Sequence, residues 1–212
     1  MRFDLHVHTR LSPCSRLSLE AILENARDRG LDGVCLTDHD TMAAARLVRE
    51  GVQDNGLCLI VGMEYATEDG DLLLFGPFEG LAPGLPAREV ISLAAALGGA
   101  AVAAHPFRSW RPAGPDILRH EGLCAVEVEN GRNTPEEDAA AARFAASRGL
   151  APVAGSDAHC IEELGARPVT IEGTVQCRAD LVAALLAGRC LPAPRPEACR
   201  AADACGRAMG LF

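Results

Sequence analysis

The residues with the clearest chemical potential lie near the start of the chain, in Asp4-Leu5-His6-Val7-His8. The alternation of polar and apolar residues reads as a strand with Asp4, His6 and His8 on one face. Two imidazoles one strand-step apart can grip a metal ion. The other reading is two core histidines, each needing a buried polar partner. Five of the six His, namely His6, His8, His39, His105 and His159, stand beside expected strand ends, and so do Asp38, Glu64 and Asp157. In barrels and open parallel sheets that is the carboxyl-end face, where active sites sit. Histidine with carboxylate suits Zn, Mn or Fe in hydrolytic sites. A carboxylate such as Glu64 can bridge two ions ~3.5–4 Å apart, a pair that activates water and polarises a phosphoryl oxygen. His120 lies near a helix end and reads as a surface residue or a cap.

Three arginines follow these positions closely: Arg10, Arg108 and Arg132. A guanidinium matches phosphate oxygens in a bidentate way. Arg108, in His105-Pro106-Phe107-Arg108, is the first choice for gripping substrate. For Arg10 and Arg132 a surface ion pair explains the residue equally well. Arg108 and Asp38 are the catalytic candidates. Trp110, the lone Trp, either stacks on a base or covers its loop, and Asn130 is a contact or a turn residue.

The elements that must position these groups alternate between strand and helix, which signals an α/β fold with a largely parallel sheet. Strands are expected at the first motif, Val34 to Thr37, Leu57 to Val61, Asp71 to Phe75, Ala100 to Ala104, Cys124 to Val128, Val153-Ala154 and Val169 to Ile171. Helices are expected from a Ser18 cap to about Arg29, from about Thr41 to Gln53, after Pro86 to about Leu97, from Pro135 to Arg148 and from about Ala179 to Ala187. One domain spans 1–191, and 192–212 reads as a C-terminal extension packed on it.

At 212 residues, with 49% hydrophobic and 23% charged residues, the composition is that of an ordinary globular protein. No apolar run reaches the ~18 residues needed to span a bilayer. No signal pattern precedes the first motif, so a cytoplasmic location is expected and a membrane partner is not. The net charge of -9 argues against duplex nucleic acid as a partner. All 20 basic residues are Arg, so Schiff-base chemistry, a Walker lysine and a carboxylated-lysine metal bridge are excluded together. The nine Cys form no CxxC pair, which fits a reduced protein better than a zinc-thiolate site.

The order of five motifs resembles the PHP family, named for polymerase and histidinol phosphatase. They are Asp4 to His8, Thr37 to Asp40, Gly62 to Glu64, His105-Pro106 and Gly155 to His159. The resemblance runs from Asp4 to about Ile171. It implies a distorted (β/α)7 TIM-like barrel with its metal site at the carboxyl ends of the strands. By that pattern His6, His8, Glu64 and Asp157 would hold one ion, and Glu64 would bridge to a second that His105 also binds. His39 and His159 would hold a third, and Asp4 would orient His6. Two positions depart from the pattern. Pro13 stands where many members carry a ligand for the third ion, with Cys14 as a conceivable substitute, so two or three divalent ions are expected and the third site is the weak one. Asp71 stands about where members often place a His, and is either a ligand of the second ion or a turn residue.

The first functional expectation is therefore a metal-dependent phosphoesterase acting on a small phosphorylated metabolite or a short nucleotide. An amidohydrolase-type enzyme is the alternative, since those barrels also open on two histidines, but their usual lysine bridge is missing. A non-catalytic metal-binding accessory module ranks third.

Overall fold

The computed structural model describes residues 1–194. Its strands are β1 (Arg2–Val7), β2 (Gly33–Leu36), β3 (Gly51–Val52), β4 (Cys58–Val61), β5 (Met63–Thr67), β6 (Gly70–Phe75), β7 (Ala100–Ala103), β8 (Ala125–Asn130), β9 (Ala151–Gly155), β10 (Val169–Ile171) and β11 (Cys190–Pro192). Its α-helices are α1 (Leu19–Asn25), α2 (Ala87–Ala96), α3 (Pro115–Leu118), α4 (Pro135–Arg148) and α5 (Arg178–Leu186). The expected helix over Thr41 to Gln53 is replaced by a short 3-10 turn, Ala43–Arg46, and the edge strand β3. None of the described helices is long and apolar enough to cross a membrane.

The strands form two sheets, ordered β11-β10-β1-β2-β4-β3 and β5-β6-β7-β8-β9. The α/β class is as expected, but the distorted (β/α)7 barrel is not closed: the strands fall into two sheets. Among the described residues, backbone pairing between the two sheets is limited to isolated bridges, Val7 with Ala158 and His39 with Glu64. One cause is local: β5 and β6 pair antiparallel through a tight turn at Gly70, where a barrel would place a helical crossover. Another is Gly62, between β4 and β5. A Cβ there would lie 2.6 Å from the Leu74 carbonyl oxygen and 2.7 Å from the Phe75 ring, so the chain can make this break only as glycine.

Side chains alternate between two apolar layers. Phe3, Leu5, Ile60, Leu73, Val102 and Val153, drawn from both sheets, pack together with Leu181 and Leu185 of α5. The opposite strand faces, including Leu36, Leu59, Leu72 and Leu74, pack with Ile22 of α1, Ile91 of α2 and Ala141 of α4. Burying each such leucine contributes about 1.5–3 kcal/mol. Helix α4 starts where Pro135 and a Thr134–Glu137 capping box place it, and stops at Gly149 in the left-handed region (φ 65). Of the expected extension, Pro192 ends β11 and the Ala193 amide donates to the Pro168 carbonyl. Residues 195–212, with Cys199 and Cys205, lie outside the described residues.

Candidate active site

The first motif reaches its place through an irregularity in β1. Phe3 and Leu5 belong to the layer between the sheets, whereas Val7 belongs to the helix-facing layer. The register against β2 shifts between Asp4 and Val7. One extra residue flips every following side chain to the other face. His6 and His8 therefore point into the site and Asp4 does not, which corrects the reading of all three on one face. Asp4 is fully buried and accepts from the backbone amides of Ser156 (3.0 Å) and Gly165 (2.8 Å), tying down the loop that carries Asp157. Burial pushes its carboxyl pKa up.

The partner of the His6 ring is instead Glu127 of β8, with Nδ1 3.0 Å from Oε1. Glu127 also accepts from the His105 amide at 2.8 Å and from Asn130 Nδ2 at 2.9 Å. No motif marked this residue, which lies fully buried in an alternating Ala125–Asn130 strand. His8 Nδ1 lies 3.2 Å from the Ser12 hydroxyl, and His159 Nδ1 lies 2.8 Å from the Asp157 carbonyl. Each contact occupies Nδ1 of its ring and leaves Nε2 for another partner.

The remaining groups converge on those rings. Glu64 Oε2 lies 3.4 Å from His6 Nε2, 3.2 Å from His8 Nε2 and 2.9 Å from His39 Nδ1. Glu64 Oε1 lies 2.7 Å from His105 Nε2. Asp157 Oδ1 lies 3.3 Å from His8 Nε2 and 3.7 Å from His6 Nε2. His105 (φ 30) and Asp157 (φ 52) both adopt the left-handed region, which is costly for a non-glycine residue and typical of functional sites.

Burial raises the pKa of both carboxylates, but the charge on His6 and hydrogen bonds from neighbouring imidazoles outweigh it, leaving Glu64 and Asp157 well below the carboxylate range. Burial disfavours charge on His6, yet Asp157, Glu127 and Glu64 together hold its pKa well above normal. His159 is shifted down by burial and by repulsion from His8. Three carboxylates focused on buried rings form a site built for positive charge. Donor atoms lie within 4.8 Å of one another in three overlapping groups: His6 with Glu64 and His105, His6 with His8 and Asp157, and His8 with His39 and His159. Glu64 Oε2, buried among these nitrogens, has no partner in hydrogen-bonding geometry, and neither does His105 Nδ1. Such orphaned buried atoms in a nitrogen and oxygen donor set fit divalent cations.

Of the expected arginines, Arg108 and Arg132 line the same cavity of about 410 Å³, as do His39, Glu64 and His105. Arg108 is buried, its Nη2 donating to Asp157 Oδ2 (2.8 Å) and Asn130 Oδ1 (2.7 Å) and its Nε to Asn133. Arg132 donates to the Asp157 carbonyl and pairs with Glu163.

Three expected roles are corrected. Arg10 is exposed, donates to the Arg16 carbonyl and faces other clefts, so it cannot bind substrate at this site. Asp38 is turned into the Thr9–Ser12 loop, where both oxygens accept hydrogen bonds, which removes it from reacting groups. Asp71 does line the cavity, but Arg111 grips both its oxygens, so it is an ion-pair partner and joins none of the three donor groups. Arg111 itself went unsuspected because nothing in its sequence neighbourhood names its partner.

Comparison with known proteins gives the family. Residues 4–106 match the model of the PHP domain, and residues 135–190 match that of the PHP-associated region. The chain belongs to the PHP family. An uncharacterized protein from Methanocaldococcus jannaschii is 29% identical over 140 residues, covering 61% of this chain and 82% of the relative. The crystal structure of PsfC from Pseudomonas syringae superposes with a TM-score of 0.75 at 19% identity, covering 100% of this chain and 98% of PsfC. Endonuclease Q, solved with a 27-mer duplex bearing an abasic lesion at its active site, superposes with a TM-score of 0.62 at 17% identity over 82% of this chain and 54% of that one. A chain with this PHP fold thus works on duplex DNA, which overturns the exclusion of duplex nucleic acid drawn from net charge. Net charge sums the whole surface, whereas phosphate contacts are local, and this cavity carries three arginines.

Proposed function

We propose that the chain is a metal-dependent phosphoesterase that hydrolyses a phosphate ester of a small molecule or short nucleotide. The observation that supports this reading is the sharing of His6 and His8 among three overlapping donor groups, which also take in Glu64 and Asp157 from a cavity walled by arginine. His6, His8, His39, Glu64, His105, Asp157 and His159 would hold two or three ions of Zn, Mn or Fe. Divalent ions in that cluster supply hydroxide at neutral pH and Lewis acidity toward a phosphoryl oxygen.

The rest of the chemistry belongs to the chain. Glu127, Ser12 and the Asp157 carbonyl hold three imidazoles by Nδ1 and leave Nε2 of each available to ligate an ion that the cluster would hold. Arg108 fixes the second oxygen of Asp157 and keeps Nη1 without a hydrogen-bond partner among the described residues, suited to a phosphoryl oxygen. Arg132 adds positive charge at the wall. Among the described residues no side chain is placed as a nucleophile: the Ser12 hydroxyl donates to Asp38, and partial burial raises the pKa of the Cys14 thiol rather than activating it.

The test is a phosphate-release screen of phosphometabolites and nucleotides on metal-stripped protein reloaded with Mn, Zn or Fe, with elemental analysis in parallel. Release that depends on the added ion and disappears in His8→Ala supports the reading. Amide turnover without phosphate release would assign an amidohydrolase-type reaction instead. Tight metal binding with no ester turned over would assign an accessory module.

A further inference from the structure

Trp110 is 74% exposed, the most exposed large apolar residue described, and it lies at the mouth of the cavity that holds His39, Glu64 and His105. It packs on neither apolar layer. Its ring contact is with the guanidinium of Arg108, 5.2 Å from the ring centroid. The loop that presents it is heavily tethered. Arg108 is bound to Asn130, Asn133 and Asp157, the Ser109 amide donates to Glu137, and Arg111 is clamped by Asp71 and the Thr67 carbonyl. An indole left in water on a rigid loop has lost its ordering entropy without gaining burial. One face is backed by a cation and the other is open, which is the arrangement of a stacking platform for a planar ring.

We propose that Trp110 stacks a nucleobase, so that the ester hydrolysed at the metal cluster is that of a nucleotide. This rests on the phosphoesterase reading and narrows its substrate class. Arg111 Nη1, without a hydrogen-bond partner among the described residues, stands on the same wall and suits a further phosphate or ribose oxygen. The cavity of about 410 Å³ takes the phosphoryl end, and the base rests outside on the indole.

The chain supplies its own probe, because Trp110 is its only Trp. Full-length protein loaded with Zn is titrated with adenosine monophosphate and with ribose 5-phosphate, which differ only in the base, while indole fluorescence is followed. Saturable quenching by the nucleotide and none by the sugar phosphate is expected. In turnover, the nucleotide should exceed the sugar phosphate in kcat/KM by on the order of tenfold or more. Trp110→Leu should bring that ratio close to one and Trp110→Phe should retain most of it. Equal quenching by both esters, or a ratio unmoved by Trp110→Leu, would overturn the proposal. Quenching by the nucleotide with no phosphate released from either ester or from any ester of the wider screen would uphold the platform while refuting the phosphoesterase reading.

Discussion

The hydroxyl of Ser12 donates to Oδ1 of Asp38 at 2.6 Å, and the Ser12 Oγ itself lies 3.2 Å from Nδ1 of His8. With its proton given to Asp38, Ser12 can only accept from the imidazole. His8 is thereby held as the tautomer whose Nε2 lone pair faces Glu64 and Asp157. The carboxylate read as catalytic acts two bonds away, through a serine.

Ser12→Ala should weaken metal binding about 10- to 100-fold, the usual cost of losing a group that orients a ligand. Chelator competition measures this, and Ser12→Thr should restore most of it. An unchanged affinity in Ser12→Ala would remove the relay from the account.

Glu127→Gln keeps the size of the side chain but puts an amide NH2 in place of one oxygen, so that either His6 Nδ1 or the His105 amide and Asn130 lose their acceptor. A loss of metal affinity of similar size, about 10- to 100-fold, is expected, with the fold intact by circular dichroism. Wild-type affinity in this variant would mean that the His6–Glu127 contact is only packing.

Arg108→Ala removes the partner of a buried Asp157 oxygen. Breaking a buried ion pair costs about 3–5 kcal/mol. We expect a lower melting temperature and lower metal content together with lost activity. Arg108→Lys should recover stability before activity, since an ammonium cannot reproduce the fork of contacts to Asp157, Asn130 and Asn133. Activity lost with full metal content would restrict Arg108 to substrate contact.

Thiol labelling with peptide mapping tests the packing. Burial raises the pKa of Cys124 to about 12 and of Cys190 to about 11, and Cys35 is fully enclosed. Among the described cysteines the exposed Cys177 should label first in the native protein, and Cys14, exposed but with a raised pKa, should follow it and still precede the enclosed thiols. Rapid native labelling of Cys35 would contradict the layer between the sheets.

The spacing of His6 and His8, and the placing of Glu64, His105 and Asp157 after apolar runs, made the cluster legible because strand ends have a recognisable local grammar. Asp4 defeated it, since a bulge changes the face of a strand without changing its alternation. Glu127 was hidden for the opposite reason: its strand alternates like one with a solvated face, and only tertiary packing shows that face to be buried. The segment from Thr41 to Gln53 has adequate helix formers but no cap or stop strong enough to outweigh the approach of β3 to β4. The open edges between the sheets depend on contacts far apart in sequence, which no window of residues contains.

Gly155 carries no donor, charge or reactive atom. A single methyl there would lie 2.4 Å from Cβ of His6 and 2.3 Å from Oε1 of Glu127. In a saturation screen scored by activity, this position would therefore tolerate as little as the clustered histidines. A functional map built from such a screen would colour it as part of the chemistry. Separating the two needs a second score: substitutions at Gly155 should deplete folded protein, while those at His159 should leave it abundant and idle.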